Sequence, residues 1–513
     1  MSDESLQAEK PTRDRKTREK RQVNYVKWGL GCAGFGMVFC TGIIVLGVII
    51  WPVVFRSLPG EWQDRFIRRF NFMADLVPTH IPVILPTSAF KSGDAMALLA
   101  TPTSTIAVPI ASTQANGDLS SGTGNSGTSG TAGATSTRNS PLPTLTAVPP
   151  TPTLAAPIGS PTPVVNQTPT PVPPTPGPPS TQEPVPVAFH NPGFKWVPQH
   201  WNDCGPANLT QTLAYYGWQG DQEVSAAWLK PNPDDKNVSP WQMVDFVNGH
   251  TGVKAIQRVG GDLNLVKRLV SQRFAVILET GYDVAGEGWM GHYLTVVGYD
   301  DNQSTLYGMD TYLGPGKDDL GYHEAYDDIQ RRWQMFNYVY IVVYTKDREA
   351  ELGAILGPDS DLNYNWQHAL SQARYDASLS PTNPFAWFNI GTNYVLLHKY
   401  KEAATAFDQA TNVGGLPWRM LWYQFTPYEA YYNVGNYGQV LALANTTLSN
   451  TIDVEETYYW KAMAEAAQGQ VPLAQADLQR VLKFNPNFSM ASDRLNDIQN
   501  GKFAPPAIAQ AAQ

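Results

Sequence analysis

Only three cysteines occur in 513 residues, and two of them, Cys32 and Cys40, lie in one long apolar run. Outside that run Cys204 stands alone, which excludes a framework of intramolecular disulfides and leaves a free thiol. Charge is also sparse, at 16% of residues with a formal net value of −9. No basic cluster occurs outside the N-terminal tail, so nucleic acid is not expected as a partner. Between Pro86 and Pro186 the only charges are Lys91, Asp94, Asp118, Arg138 and Glu183, and Thr, Pro, Ser, Gly and Ala fill nearly everything else. A stretch so poor in apolar and charged side chains cannot build a core, so residues 86–186 are expected to form a disordered linker. Its second half, with Thr-Pro pairs from Pro141 onward, should be polyproline-like at ~3.1 Å per residue, a tether reaching on the order of 100 Å or more.

What precedes the linker is organised around a membrane. Residues 1–27 carry eight Lys or Arg without apolar periodicity and are expected to be a disordered cytosolic tail. Trp28 to Phe55 then runs without a charge, well beyond the ~20 residues needed to span a bilayer. A cleaved signal peptide would have an apolar core of only ~7–15 residues with a small-residue site behind it, and neither feature is present. Arg56, Arg65, Arg68 and Arg69 are outnumbered by the eight cations before the span, so a single-pass helix over 28–55 is expected in the cell membrane. Its N-terminus would face the cytoplasm and everything after Arg56 would be extracytoplasmic. Residues 56–85 read as a juxtamembrane segment, either an amphipathic helix on the outer face or a short packed stalk.

The chemistry is expected around Val197-Pro198-Gln199-His200-Trp201-Asn202-Asp203-Cys204-Gly205-Pro206. Leu209, Leu213 and Tyr216 recur at helical spacing, Asp203 is placed to cap, Pro206 fits a first turn and Gly217 stops the helix. A helix from Cys204 to Tyr216 would put the thiol at the positive end of the helix dipole, where thiolate, the attacking form, is favoured. A lone cysteine opening a core helix can also be a small buried residue, but its neighbours argue for a nucleophile. Gln199 is placed to join the Cys204 N–H as an oxyanion hole, and Gly205 to let substrate backbone approach the sulfur. His200 lies four residues before the helix and would have to turn back to act as base. Downstream, Gly291–Tyr299 and Thr305–Asp310 read as the strands of a hairpin around Asp301. His292 and Asp310 are equally far from that turn, which predicts them side by side, His292 as base and Asp310 orienting it. The segment from Tyr312 to Trp333, with His323, Asp327 and Asp328, reads as a plain loop; two acids and a histidine without ligand spacing do not predict a metal.

The Gln199-to-Cys204-Gly205-Pro206 pattern, with His292 and Asp310 following in that order, resembles the papain-like cysteine peptidases, specifically the bacteriocin-processing family numbered thirty-nine. Two differences stand out. The glutamine lies five residues before the cysteine where six is common, and Asp310 is followed by Thr311 where proline is usual. The resemblance implies an α+β papain-like domain over residues 187–350 and hydrolysis of peptide bonds by Cys204, His292 and Asp310, with Gln199 holding the oxyanion. It requires no cofactor and no metal. Helices at Ser239–Val247 and Asp262–Ser271, a buried strand Phe274–Leu278 and a further strand Tyr338–Tyr344 fit that order. Two other readings stay open: a cell-wall hydrolase with a similar Cys-His site, though those enzymes typically read Asp-Cys-Ser-Gly, and a non-enzymatic scaffold whose peptidase-like domain only binds peptide.

After Asp359 the pattern turns helical and repetitive. Trp387, Ile390, Gly391, Tyr394, Ala403, Phe407 and Ala410 fall at the spacings of a tetratricopeptide repeat, and Ala369, Val440 and Ala474 match Ala403 at intervals of 34, 37 and 34 residues. Residues 360–500 thus resemble about three such units in an all-α solenoid, which implies a groove for a substrate or partner protein. The alternative is a structural cap on the peptidase. Trp418, Trp422, Tyr423, Tyr428, Tyr431 and Tyr432 are expected to pack between helices, and residues 501–513 to form a loose tail. Because the site lies within 199–310, a chain ending near residue 350 is expected to keep its thiol chemistry.

Overall fold

The computed structural model describes residues 85–86, 94–100, 184–284 and 288–507. The predicted cytosolic tail, the 28–55 span and nearly all of the 56–85 segment lie outside these residues. Among the described residues no helix is long and apolar enough to cross a membrane. Within the stretch read as linker, Ala95–Ala100 forms a short helix, α1.

The part that carries Cys204 is built on one antiparallel sheet. Its strands are β1 (Ala188–His190), β2 (Lys254–Arg258), β3 (Ala275–Val284), β4 (Gly288–Asp300), β5 (Thr305–Met309), β6 (Tyr322–Ala325) and β7 (Tyr340–Tyr344), in the order β2-β7-β3-β4-β5-β6 with β1 beside β4. The run Phe274–Leu278 is apolar at every position because both sheet faces are covered. Ala275 and Ile277 meet α2 (Cys204–Tyr215), α3 (Gln222–Leu229) and α4 (Pro240–His250) through Leu209, Leu213, Leu229, Met243 and Phe246. Val276 and Leu278 meet α5 (Leu263–Ser271), α6 (Tyr326–Gln334) and α7 (Glu349–Leu356) through Val266, Leu269, Ile329, Trp333 and Leu352. An α+β domain with helices on both faces of the sheet results.

Local signals place several of these helices. The α4 start has a capping box in which Ser239 and Gln242 satisfy each other's backbone N–H groups, and Asp262 caps α5 by accepting from the Leu265 N–H at 2.9 Å. The plain loop expected between Tyr312 and Trp333 instead contains β6 and most of α6. Asp327 and Asp328 sit in the first turn of α6, where the helix dipole favours acids, while His323 pairs with Asp318 at the surface. Edge pairing with β5, a long-range effect, makes this segment a strand.

Residues beyond 360 form successive helices, each packed on the next: α8 (Leu362–Leu379), α9 (Pro384–Leu396), α10 (Tyr400–Val413), α11 (Thr426–Asn433), α12 (Tyr437–Asn450), α13 (Glu455–Ala467), α14 (Val471–Phe484) and α15 (Ser489–Gln499). Gly391 permits the α9–α10 approach, since a Cβ there would lie 2.6 Å from the Phe407 ring. Tyr428, Tyr431, Tyr432 and Trp422 are buried between helices.

This helical region shares its core with the sheet domain. The β3–β4 hairpin extends beyond the sheet and carries Trp289, whose indole stacks on Phe336 at 5.6 Å and meets Tyr423 edge-on at 5.7 Å. Trp289 and Phe336 belong to the same apolar cluster as Trp387, Ile390 and Met420. Polar bonds close the seam: Asn337 and Asn393 exchange amide hydrogen bonds at 2.8 and 3.0 Å, and Asn389 donates to the Gln334 carbonyl at 2.7 Å. The sheet domain and the helical region are thus joined through one apolar cluster.

Candidate active site

Cys204 is the first residue of α2 and partly exposed, the only free thiol among the described residues. Its N–H, at the first helical position, has no carbonyl to bond within the helix. The helix start is not capped as expected: the Asp203 side chain makes no capping bond and instead meets Lys230 Nζ at 3.0 Å. That lysine is almost fully buried and also donates to the Asn202 carbonyl at 3.0 Å, so it clamps the loop just before the thiol. Asn202 has φ of 59° there, a left-handed conformation that asparagine tolerates better than most residues. Gly205 is buried, and a Cβ would sit 3.1 Å from Val238 and 3.6 Å from the Tyr293 ring, so packing by itself favours glycine there.

His292 and Asp310 come together, though not directly across the hairpin. The register places Thr295 opposite Met309, with a bulge between Val296 and Gly298, so His292 lies two positions past the residue facing Asp310. The diagonal is short enough for His292 Nε2 to reach Asp310 Oδ1 at 3.0 Å. That contact occupies Nε2 and leaves Nδ1 as the ring nitrogen not engaged by Asp310, and Cys204 lies near enough to influence the imidazole. Asp310 is fully buried, and its Oδ1 accepts further from the N–H groups of Tyr312 at 2.8 Å and Leu313 at 2.7 Å.

Gln199 is held by the residue that replaces the usual proline. The Thr311 hydroxyl donates to Gln199 Oε1 at 2.9 Å, and the Gln199 N–H donates to the Thr311 carbonyl at 3.0 Å. With its oxygen engaged, the side-chain amide keeps its N–H donors for a ligand; no acceptor among the described residues takes them. His200 is exposed and lies 3.3 Å from Glu223 at the surface, away from this group.

Sequence reasoning missed the polar scaffold beneath these residues. Asn208, one turn after Cys204, donates to the carbonyls of Cys204 and Tyr293 at 2.9 and 2.8 Å and to the Thr311 hydroxyl at 3.1 Å. Gln211 donates to Thr295 Oγ1 at 2.9 Å and to the Met309 carbonyl at 2.8 Å. A buried network that is satisfied at each atom fixes geometry well, and this one ties the thiol helix to both strands of the hairpin. The available signal was two carboxamides, three residues apart, on the helix face that meets the sheet.

Two buried acids were also missed. Glu279 on β3 accepts from the Tyr293 hydroxyl at 3.3 Å and lies near the thiol; burial pushes its carboxyl well above the usual range, and the charge of Cys204 adds to this. It is the one charge in an otherwise apolar strand start, which was a usable signal. Glu324 accepts from the Tyr282 hydroxyl at 3.0 Å and pairs with Arg332, whose guanidinium lies 4.4 Å from the centre of the Tyr282 ring. Tyr282 in turn donates to Asp310 Oδ2 at 3.4 Å and packs edge-on against the His292 ring at 5.2 Å.

The electrostatics favour a charged imidazole. Burial works against it, but the Asp310 carboxylate, the bond to it and the nearby Cys204 outweigh burial and push His292 up to about 10. Burial likewise opposes ionised Asp310, and His292 together with the Leu313 and Tyr312 N–H groups holds it below the usual carboxylate range. A raised histidine contributes stability that is fully present below its unfolded value of 6.5 and is lost as pH rises through about 10. A depressed aspartate contributes stability present above its ordinary value and lost as pH falls through the lowered one. The difference in thermal midpoint between wild type and His292→Ala is therefore expected to be level from about pH 4 to 6.5 and to shrink steadily toward pH 10. A difference independent of pH across that upper range would count against the charged pair.

No curated protein matches the chain in sequence. Among solved structures, one described as that of a candidate C39-like peptidase from Bacillus anthracis is similar at 15% identity and a TM-score of 0.25, covering 31% of this chain and 98% of that one. Residues 191–341, which contain Cys204, His292 and Asp310, match the model of the Peptidase_C39 like family.

Proposed function

We propose that the chain is a membrane-anchored cysteine peptidase acting outside the cytoplasm on peptide or protein substrates. The observation that supports this reading is His292 bonded to buried Asp310, with Cys204 near enough for its charge to favour the imidazolium. In the forward step, Cys204 sulfur attacks the scissile carbonyl carbon while its proton resides on His292, and the oxygen takes the negative charge. The Cys204 N–H and the Gln199 amide receive that oxyanion. Collapse of the intermediate expels the amine, which takes the proton from His292 and leaves a thioester. Water, giving a proton to His292, then attacks the thioester and releases the acid and the thiol. The helical region reads as tetratricopeptide-like, and the surfaces it leaves free would hold a protein substrate or partner beside this cleft.

One experiment tests both activity and orientation. Intact cells carrying the chain, given a peptide library that cannot enter them, are expected to cleave it, and cells carrying Cys204→Ala are not. Cleavage that appears only after lysis would refute the outward orientation; none in either preparation would refute the peptidase reading.

A further inference from the structure

The helical region already has a guest. Leu85 and Pro86 lie beside Phe388, Phe407, Tyr431 and Leu443, and Gln439, itself almost fully buried, donates from Nε2 to the Pro86 carbonyl at 2.7 Å. Ala95 and Leu98, three residues apart on one face of α1, are buried, while Met96 between them is 52% exposed. The helix packs against α8 and α10. Its start is organised by Asp94, whose carboxylate accepts from the Met96 N–H at 3.0 Å. Six residues are too few to hold a helix in water without support, so α1 owes its form to the surface beneath it. The chain then re-enters the same compact unit at Pro186 and Val187, where Tyr299 donates to the Pro186 carbonyl at 2.9 Å and the Asp301 N–H to the Val187 carbonyl at 2.8 Å.

We propose that residues 85–86 and 94–100 are a latch that docks in cis on the helical region, so that the Thr/Pro-rich stretch after residue 100 leaves and rejoins one folded unit and is not the tether. Both of its ends are fixed to one folded unit. The chain available between the predicted membrane span and the enzyme is then residues 56–84, at ~3.5 Å per residue a reach on the order of 100 Å at most. The occupant is specified by chemistry: a Leu-Pro pair whose proline carbonyl is read by a buried glutamine amide, and a short helix with one apolar face. This docking does not depend on the peptidase reading or on the membrane.

The test uses the full chain with a photo-reactive benzoylphenylalanine in place of half-buried Leu99 and a specific protease site inserted after Gly130. After irradiation and then cutting, a single species of one-chain mass is expected on a denaturing gel, because the latch has become covalently joined to α8 or α10. Leu98→Asp should lower its yield by about tenfold or more, since a buried leucine is replaced by a charge. Two separate fragments from the unsubstituted latch would overturn the proposal. So would a cross-linked product of two-chain mass, which would mean docking between copies, or an undiminished yield from Leu98→Asp.

Discussion

Replacing Cys204 with alanine is expected to reduce peptide hydrolysis to background, a loss on the order of 10⁴–10⁶ in kcat, because nothing else in the site can form the acyl intermediate. His292→Ala should fall nearly as far, since the same imidazole takes the thiol proton and later delivers it to the amine. Asp310→Asn should cost less than either. The amide can still accept from the Tyr312 and Leu313 N–H groups that grip this position, so the side chain stays in place while losing the charge that holds His292 protonated. Gln199→Ala should lower kcat by roughly 10²–10³ with little change in KM, the signature of a donor used only for the oxyanion. His200→Ala should be silent, because that ring is exposed and beside Glu223. Steady-state kinetics on any cleaved library peptide decides the series; full activity in His292→Ala, or a large loss in His200→Ala, would overturn these roles.

Ending the chain at residue 350 is expected to abolish cooperative folding and with it the thiol site, contrary to what the separation of motifs along the sequence suggests. The truncation would uncover Trp289 and Phe336, which share a core with Trp387, Ile390 and Met420. It would also strip Asp235 and Ser239 of their buried neighbours Glu455 and Glu456; burial pushes Glu455 well above the usual carboxylate range and Glu456 to about 8. A milder variant gives the same information in the intact chain. Trp289→Ala should cost ~3–5 kcal/mol by urea unfolding, a large share of the ~5–15 kcal/mol typical of a whole domain. It should also slow catalysis, because Trp289 and His292 stand on the same strand. A truncated chain that melts in one sharp step, or a Trp289→Ala protein as stable as wild type, would show that the shared core is not needed.

What could be read from residue order alone was local. Cys204 at a helix N-terminus followed from Pro206, Gly217 and the spacing of Leu209 and Leu213; the starts of α4 and α5 followed from Ser239 and Asp262; the β4–β5 hairpin followed from two β-rich runs around a polar turn. Each depends on interactions within a few positions, where propensity and periodicity act. The hairpin even anticipated the meeting of His292 with Asp310, although the turn centres between Asn302 and Gln303 and not on Asp301, which makes it a diagonal contact.

Residue order could not show which distant groups would be buried together. Lys230 clamping the loop before Cys204, Glu279 held beside the thiol, Thr311 turning Gln199, and Tyr282 linking Asp310 to Glu324 each join residues from separate elements. Polar side chains at such positions look like ordinary surface residues until the fold removes their water and leaves them only one another as partners. The same holds for Trp289 and for Leu85, whose burial depends on helices more than a hundred residues away in the chain. The sequence by itself determined the helix that opens at Cys204 and the hairpin that carries His292, because those are set by neighbours along the backbone. Only the tertiary structure decided how the thiol, imidazole, carboxylate and amide are held, and that the helical region is part of the same core, because burial and dielectric belong to the folded whole.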